Sequence, residues 1–234
     1  YDYSGLMIEI INCNIPVSRG LGSSSSCIIA GIIGAFSIMG KDINKSEVLK
    51  YAVEIEGHPD NVCPAIYGGM VTVVMEDNAP IFNKIDIKEG VRFVALIPEF
   101  KFYTEKARSI LPKEISLKDG VYNVGRTALL VSAFANGNYN LLKYAMKDKF
   151  HQAYRSNLIE GYDKVIKESM ELGALGCFLS GAGPTIMTVV GCEDKAFKSN
   201  IEKFIKENNL KYNVVELKID KIGATVLEVD KNEG

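Results

Sequence analysis

Residues 15–26 read I-P-V-S-R-G-L-G-S-S-S-S, and no other stretch of the chain restricts its fold so tightly. Upstream, Leu6, Ile8 and Ile10 alternate with Met7, Glu9 and Ile11, the pattern of a strand buried mainly on one face. Downstream, Cys27 to Met39 is almost entirely apolar and closes at Gly40, which predicts a helix stopped at Gly40 with Ser23 to Ser26 on its first turn. The loop therefore ends at a helix N-terminus, where the first backbone N–H groups have no partner within the helix and carry the positive end of its dipole. Phosphate binds readily at such a place. Gly20 and Gly22 let the backbone take positive φ and approach a ligand closely, and four serine hydroxyls offer donors and oxygen ligands of the kind Mg²⁺ takes. The residues alone also allow an ordinary serine cap after a glycine turn. There is no G-x-x-x-x-G-K-[ST], no G-x-G-x-x-G, and no H-R-D with D-F-G, which argues against a P-loop NTPase, a dinucleotide enzyme and a protein kinase.

As P-x-x-x-G-L-G-S-S-x-x, the segment from Pro16 resembles the second motif of the GHMP kinases, the family of galactokinase and of the homoserine, mevalonate and phosphomevalonate kinases. Leu179 to Ile186, L-S-G-A-G-P-T-I, resembles the third motif of that family, a glycine-rich turn facing the phosphate loop. The resemblance implies that ATP is bound by Pro16, Val17, Ser18, Arg19, Gly20, Leu21, Gly22, Ser23, Ser24, Ser25 and Ser26, with Ser180, Gly181 and Gly183 opposite. Many members carry glycine where this chain has Ser18. The implied fold is α+β, in two domains: a ribosomal S5 domain 2-like N-terminal ATP-binding domain over residues 1–86, incomplete here, and a ferredoxin-like C-terminal domain over 87–234.

A first motif ordinarily lies on strands ahead of the phosphate loop, and none is found here. The chain starts at Tyr1 and runs almost at once into its apolar strand, so it reads as lacking an N-terminal part, with the missing strands completing the first domain.

At 234 residues and 47% hydrophobic, the chain can bury one large core or two smaller ones. A formal net charge of −2 and the absence of a Lys/Arg-rich run give no reason to expect nucleic acid or an anionic membrane as partner. Five scattered cysteines, with no C-x-x-C pair, read as reduced and mostly buried. No leader pattern and no apolar run long enough to span a bilayer is seen, which makes the cytoplasm the default location.

A helix capped by Asn44, with Glu47 completing a capping box, carries the chain to Glu56. There it meets E-G-H-P-D-N-V-C-P over residues 56–64, where Gly57, Pro59 and Pro64 break the helix. From the residues alone this could be a solvated loop with Asp60 or Asn61 as an N-cap. It also resembles the E-G, H-x-D-N-V-x-P segment of the homoserine-kinase branch of the family. That resemblance implies that Glu56 and Ser24 ligate Mg²⁺, while His58, Asp60 and Asn61 face the substrate and the transferred phosphoryl group. Arg126, in Y-N-V-G-R-T-A-L-L, and Arg155, in H-Q-A-Y-R-S-N-L, could be structural ion-pair or snorkelling residues. Both contexts resemble the segments of that branch whose arginines hold an amino-acid carboxylate, for which a planar guanidinium is suited. Arg19 suits either the nucleotide or solvent, and His151 reads as a helix-start residue with no further part.

Further on, strands are expected at Val71–Met75 and Val91–Pro98 with a polar linker between, and helices at 104–110, 120–135, 140–147 and 152–172. Strands at 177–179 and 185–190 then bracket the glycine turn, a helix follows at 193–207, and strands at 213–219 and 224–229 finish the chain. This late β-β-α-β order suggests the ferredoxin-like second domain.

The implied activity is ATP-dependent phosphorylation of the L-homoserine hydroxyl in threonine biosynthesis, with ATP and Mg²⁺ required and homodimers common in that branch. Asp60 is expected to position the substrate; a base role for it stays open. The competing readings are a GHMP kinase for mevalonate, shikimate or a sugar, a non-catalytic binder on the same fold, and an inactive nucleotide-binding fragment.

Overall fold

In the computed structural model, residues 5, 7–100, 107 and 109–227 are described, and the chain divides into two units. One consists of residues 1–15, 22–85 and 220–234; the other of residues 16–21 and 86–219.

In the first unit the apolar run after the serines forms α1 (Ser23–Ile38), whose buried residues Ser25, Ile29, Ile32 and Phe36 recur at helical spacing. Gly40, at φ 64°, and Lys41 N–H on the Phe36 carbonyl close its C-terminus. In α2 (Lys45–Glu56) the Asn44 side chain accepts from Ser46 N–H at 2.9 Å, one residue short of the capping-box partner expected. Gly57 then takes the left-handed conformation and ends the helix. Pro59 does not break a helix; it starts α3 (Pro59–Tyr67), because at the first position its missing N–H is not needed. Pro64 lies inside α3, where its ring deprives the Asp60 carbonyl of an i+4 donor. The core joins the three helices through Ile29, Phe36, Leu49, Ala52, Val62 and Ile66.

The stretch expected to be a polar linker folds instead into a hairpin of β1 (Met70–Glu76) and β2 (Ala79–Ile85). Asp77 and Asn78, at φ 48° and 61°, make the tight turn that right-twisted strands require. Residues 220–224 lie against this unit: Gly69 N–H donates to the Asp220 carbonyl, Ala224 N–H to that of Ala65, and Lys84 Nζ to both Tyr67 and Lys221 carbonyls.

Two expected strands are not seen. Residues 7–11 form no ladder with any described residue, and Met7, Ile8, Ile10 and Ile11 are exposed, so alternation alone did not make a strand where nothing pairs with it. Residues 224–227 are likewise outside any strand, and the rest of that expected strand lies outside the described residues.

The second unit is a four-stranded antiparallel sheet with helices between its strands. In chain order it contains β3 (Val91–Pro98), α4 (Leu117–Asn136), α5 (Leu142–Ala145), α6 (Gln152–Arg155), α7 (Tyr162–Glu171), β4 (Gly176–Leu179), β5 (Ile186–Gly191), α8 (Phe197–Glu207) and β6 (Tyr212–Leu217). The spatial order β4-β5-β3-β6 puts the first strand between the third and fourth, which is the ferredoxin-like arrangement. Along β3, Val94 and Leu96 face one core with Val165, Phe197 and Ile201, while Ala95 and Ile97 face the other side with Met187, Phe178 and Leu21. Leu21 thereby ties the end of the phosphate loop to the sheet.

The helix expected over 152–172 is interrupted by Gly161, at φ 72°, whose place against the Leu210 side chain leaves no room for a Cβ. The helix expected over 104–110 falls mostly outside the described residues. Of the cysteines, Cys63 is buried, its thiol pushed up to about 11 by desolvation, whereas Cys13, Cys27 and Cys192 are exposed, contrary to expectation.

Candidate active site

Three residues of the loop, Ser18, Gly20 and Gly22, sit at positive φ (57°, 74° and 78°), alternating with residues that do not. Ser18 thus occupies a left-handed position of the kind glycine serves without strain. Gly20 is fixed sterically as well: its carbonyl accepts from Ser180 Oγ at 2.8 Å, and a Cβ there would collide with the Ser180 carbonyl and lie 2.8 Å from that of Gly183. The glycine turn closes on itself through Gly183 N–H to the Ser180 carbonyl and Ser180 N–H to that of Thr185. Arg19 directs its guanidinium to backbone, with Nη2 2.6 Å from the Glu99 carbonyl and Nη1 near those of Val17 and Ser18.

In the first unit, the first N–H with a partner inside α1 is that of Ser26, which bonds the Gly22 carbonyl, and the first turn carries no acidic residue. Glu56, at the end of α2, accepts from Ser24 Oγ at 3.1 Å and from Ser25 Oγ at 3.2 Å, one hydroxyl on each carboxylate oxygen. A carboxylate at a helix C-terminus faces the negative end of that helix, so it sits there against the dipole and gains from a cation brought beside it. Ser24 and Glu56 are hard oxygen donors of the type Mg²⁺ uses together with phosphate and water, and the residues present fit that ion. Among the described residues there is no group of three or more His, Cys, Asp or Glu that could hold a metal.

His58 is the N-cap of α3, and its Nδ1 lies 2.5 Å from Asp60 Oδ1, with the carboxylate 68% exposed. Asn61 follows on the first turn of the same helix, half-buried.

The two arginines are in the second unit and differ sharply in setting. Arg126 on α4 stacks over the Tyr122 ring, its guanidinium carbon 3.2 Å from the ring centroid, and donates to the Tyr122 carbonyl at 3.2 Å. Its Nε is buried without a hydrogen-bond partner among the described residues. Arg155 is buried, 8% exposed, and donates through Nε to the Ala107 carbonyl at 3.0 Å and through Nη1 to the Gly181 carbonyl at 3.3 Å.

Asp148 was not anticipated. Its carboxylate accepts from the N–H groups of Phe150, His151 and Gln152 and from Asn123 Nδ2 at 2.6–3.0 Å. Burial alone would raise its carboxyl, but those donors outweigh it and hold the group below its ordinary value. The signal was readable: an aspartate just ahead of a helix start is a capping residue. Ser25 is expected at the ATP phosphates, and its bond to Glu56 is the addition; its place four residues before Ile29 on the buried face of α1 was the signal.

The chain matches the family model of the GHMP kinases N terminal domain over residues 1–69 and that of the GHMP kinases C terminal domain over residues 130–209. It is 52% identical over 231 residues to a homoserine kinase of Clostridium beijerinckii, covering 99% of this chain and 78% of that protein. A homoserine kinase of Clostridium botulinum type A is 52% identical over 226 residues, 97% of this chain and 76% of the relative. Among solved structures, the homoserine kinase of Cytophaga hutchinsonii aligns with a TM-score of 0.82 at 29% identity, covering 90% of this chain and 69% of the other.

Proposed function

The chain belongs to the GHMP kinase family, and from that premise we propose that it transfers a phosphoryl group from ATP to the side-chain hydroxyl of L-homoserine, releasing O-phospho-L-homoserine and ADP on the way to threonine. The observation that carries the reading is the Glu56 carboxylate held by Ser24 and Ser25 on the first turn of α1, a pair of oxygen donors suited to a cation beside backbone N–H groups that have no partner within the helix. In this reading the N–H groups of that turn and the loop Pro16 to Ser26 take the ATP phosphates, with Ser180, Gly181 and Gly183 shaping the turn behind Gly20. Ser24 and Glu56 hold Mg²⁺, which neutralises phosphate charge when bound.

His58, Asp60, Arg126 and Arg155 bind homoserine, the two arginines gripping its carboxylate. Asn61 and Asp60 lie nearest the transferred group. Asp60 positions the substrate and does not deprotonate it, because its carboxylate is largely exposed and already bonded to His58. Phosphoryl transfer asks little covalent chemistry of the protein, so positioning and charge neutralisation suffice. We assign residues 1–86 to the ATP-binding domain and 87–234 to the C-terminal domain. Among the described residues no helix is long and apolar enough to cross a membrane.

An ADP-release assay with ATP, Mg²⁺ and a panel of L-homoserine, mevalonate, shikimate and galactose tests the proposal. Turnover with homoserine at least about a hundredfold above the other alcohols in kcat/KM is expected; turnover with one of the others instead, or with none, overturns it.

A further inference from the structure

A polar cluster in the second unit is built on Asp148, His151 and Arg155, and the reaction proposed above uses only the arginine. His151 is the N-cap of α6, one helical turn before Arg155, and its Nδ1 stands 3.1 Å from Arg155 Nη1. That same Nη1 reaches the Gly181 carbonyl, and Nε of the same guanidinium the Ala107 carbonyl. Asp148 fixes the other side of the imidazole: it accepts from the His151 backbone N–H at 2.7 Å and lies 4.0 Å from Nε2.

A guanidinium has donors only, so a nitrogen facing it must be an acceptor, which places the imidazole proton on Nε2, toward Asp148. We infer that His151 is a positioning residue: its unprotonated Nδ1 holds the Arg155 guanidinium against the Gly181 carbonyl, so one imidazole sets both the grip on the substrate carboxylate and the glycine turn. The inference rests on the homoserine reading given above.

The chemistry of the cluster requires the neutral ring. Burial lowers the pKa of His151, the nearby Asp148 carboxylate raises it, and the Arg155 charge lowers it again, with a net fall below the ordinary 6.5. Among the described residues, Asp148 on the preceding loop and Arg155 on α6 are the charged groups facing the ring. A proton on Nδ1 sets a donor against donors and a cation against a cation, and Arg155 leaves the Gly181 carbonyl.

The test compares wild type with His151→Leu, which removes the acceptor, and His151→Asn, whose Oδ1 can stand where Nδ1 stood but does not titrate. His151→Leu is expected to raise KM for homoserine about tenfold, to raise KM for ATP less, through the glycine turn, and to change kcat little, and His151→Asn to recover most of that loss. Wild-type KM for homoserine should rise as pH falls below about 6.5, and that of His151→Asn should stay level. Equal behaviour of the Leu and Asn variants, or an acid limb that persists in His151→Asn, overturns the inference.

Absence of any homoserine turnover sinks the functional reading instead, and nitrogen NMR of the unliganded protein then decides on His151. The Arg155 Nε–H signal, assigned through Arg155→Lys, should move with the His151 titration in wild type and stand still in His151→Asn. A signal indifferent to pH in wild type overturns the inference whatever the substrate.

Discussion

Glu56 and Asp148 are both carboxylates beside a helix end, and they are satisfied in opposite ways. Asp148 lies just ahead of α6 and spends its oxygens on three backbone N–H groups from the residues that follow it and on the Asn123 amide of α4. Glu56 closes α2, on the unfavourable end of the dipole, and has two serine hydroxyls. The first arrangement is complete as it stands. The second gains by adding a positive charge, which is how a carboxylate kept for a ligand differs from one kept for the fold. On that contrast, Glu56→Gln should lower kcat/KM on the order of 10³-fold, about 4 kcal/mol of transition-state stabilisation, with a melting temperature close to wild type. An unchanged kcat/KM, or a loss that follows unfolding, would erase the distinction.

Asp148→Ala should do the reverse. Removing the acceptor strands three N–H groups and the Asn123 amide, so a stability loss of about 3 kcal/mol is expected in urea unfolding, larger than any direct effect on ATP binding. Because the folded state holds this carboxyl below its ordinary 3.8, its contribution is complete above that value and is lost as pH falls below it. The depressed His151 acts earlier in the same direction: the unfolded chain takes up its proton first, so stability falls as pH drops below 6.5. Acid unfolding of Asp148→Ala should therefore weaken the loss of stability below pH 3.8 and deepen the one below 6.5, because the carboxylate that raises the His151 pKa is gone.

Elements whose partners are local were legible in the sequence. The loop, its serines on a first helical turn, the Asn44 cap and the βαββαβ order all follow from spacing and turn residues within a short window. The strand reading at residues 7–11 did not hold, because a strand exists only by pairing with another segment and alternation is silent about that. The β2 strand was missed for the opposite reason. Its partner is adjacent, but Pro80, Asn83 and Lys84 disguise the alternation, and the Asp77-Asn78 dipeptide was the signal to follow. At the candidate site, residue types and near neighbours were readable while distant contacts were not: the i, i+4 spacing in H-Q-A-Y-R sets the histidine beside the arginine, but nothing in it says that the pair meets the Gly181 carbonyl.

A third carboxylate, Asp60, sharpens the comparison with the smallest effect. It is largely exposed and bonded to His58 at 2.5 Å, so it belongs neither to the self-contained class nor to the cation-seeking one. A group that positions needs only an oxygen within reach of the substrate, and an exposed carboxylate braced by an imidazole offers that. Asp60→Asn keeps an oxygen acceptor for the imidazole and for a substrate hydroxyl. If Asp60 only positions, kcat should fall by no more than about tenfold, roughly 1.4 kcal/mol, and the pH–rate profile should keep its shape. A loss of several orders in kcat with unchanged homoserine binding would make Asp60 the base, and exposure would then be a poor guide to which carboxylates in this fold take protons.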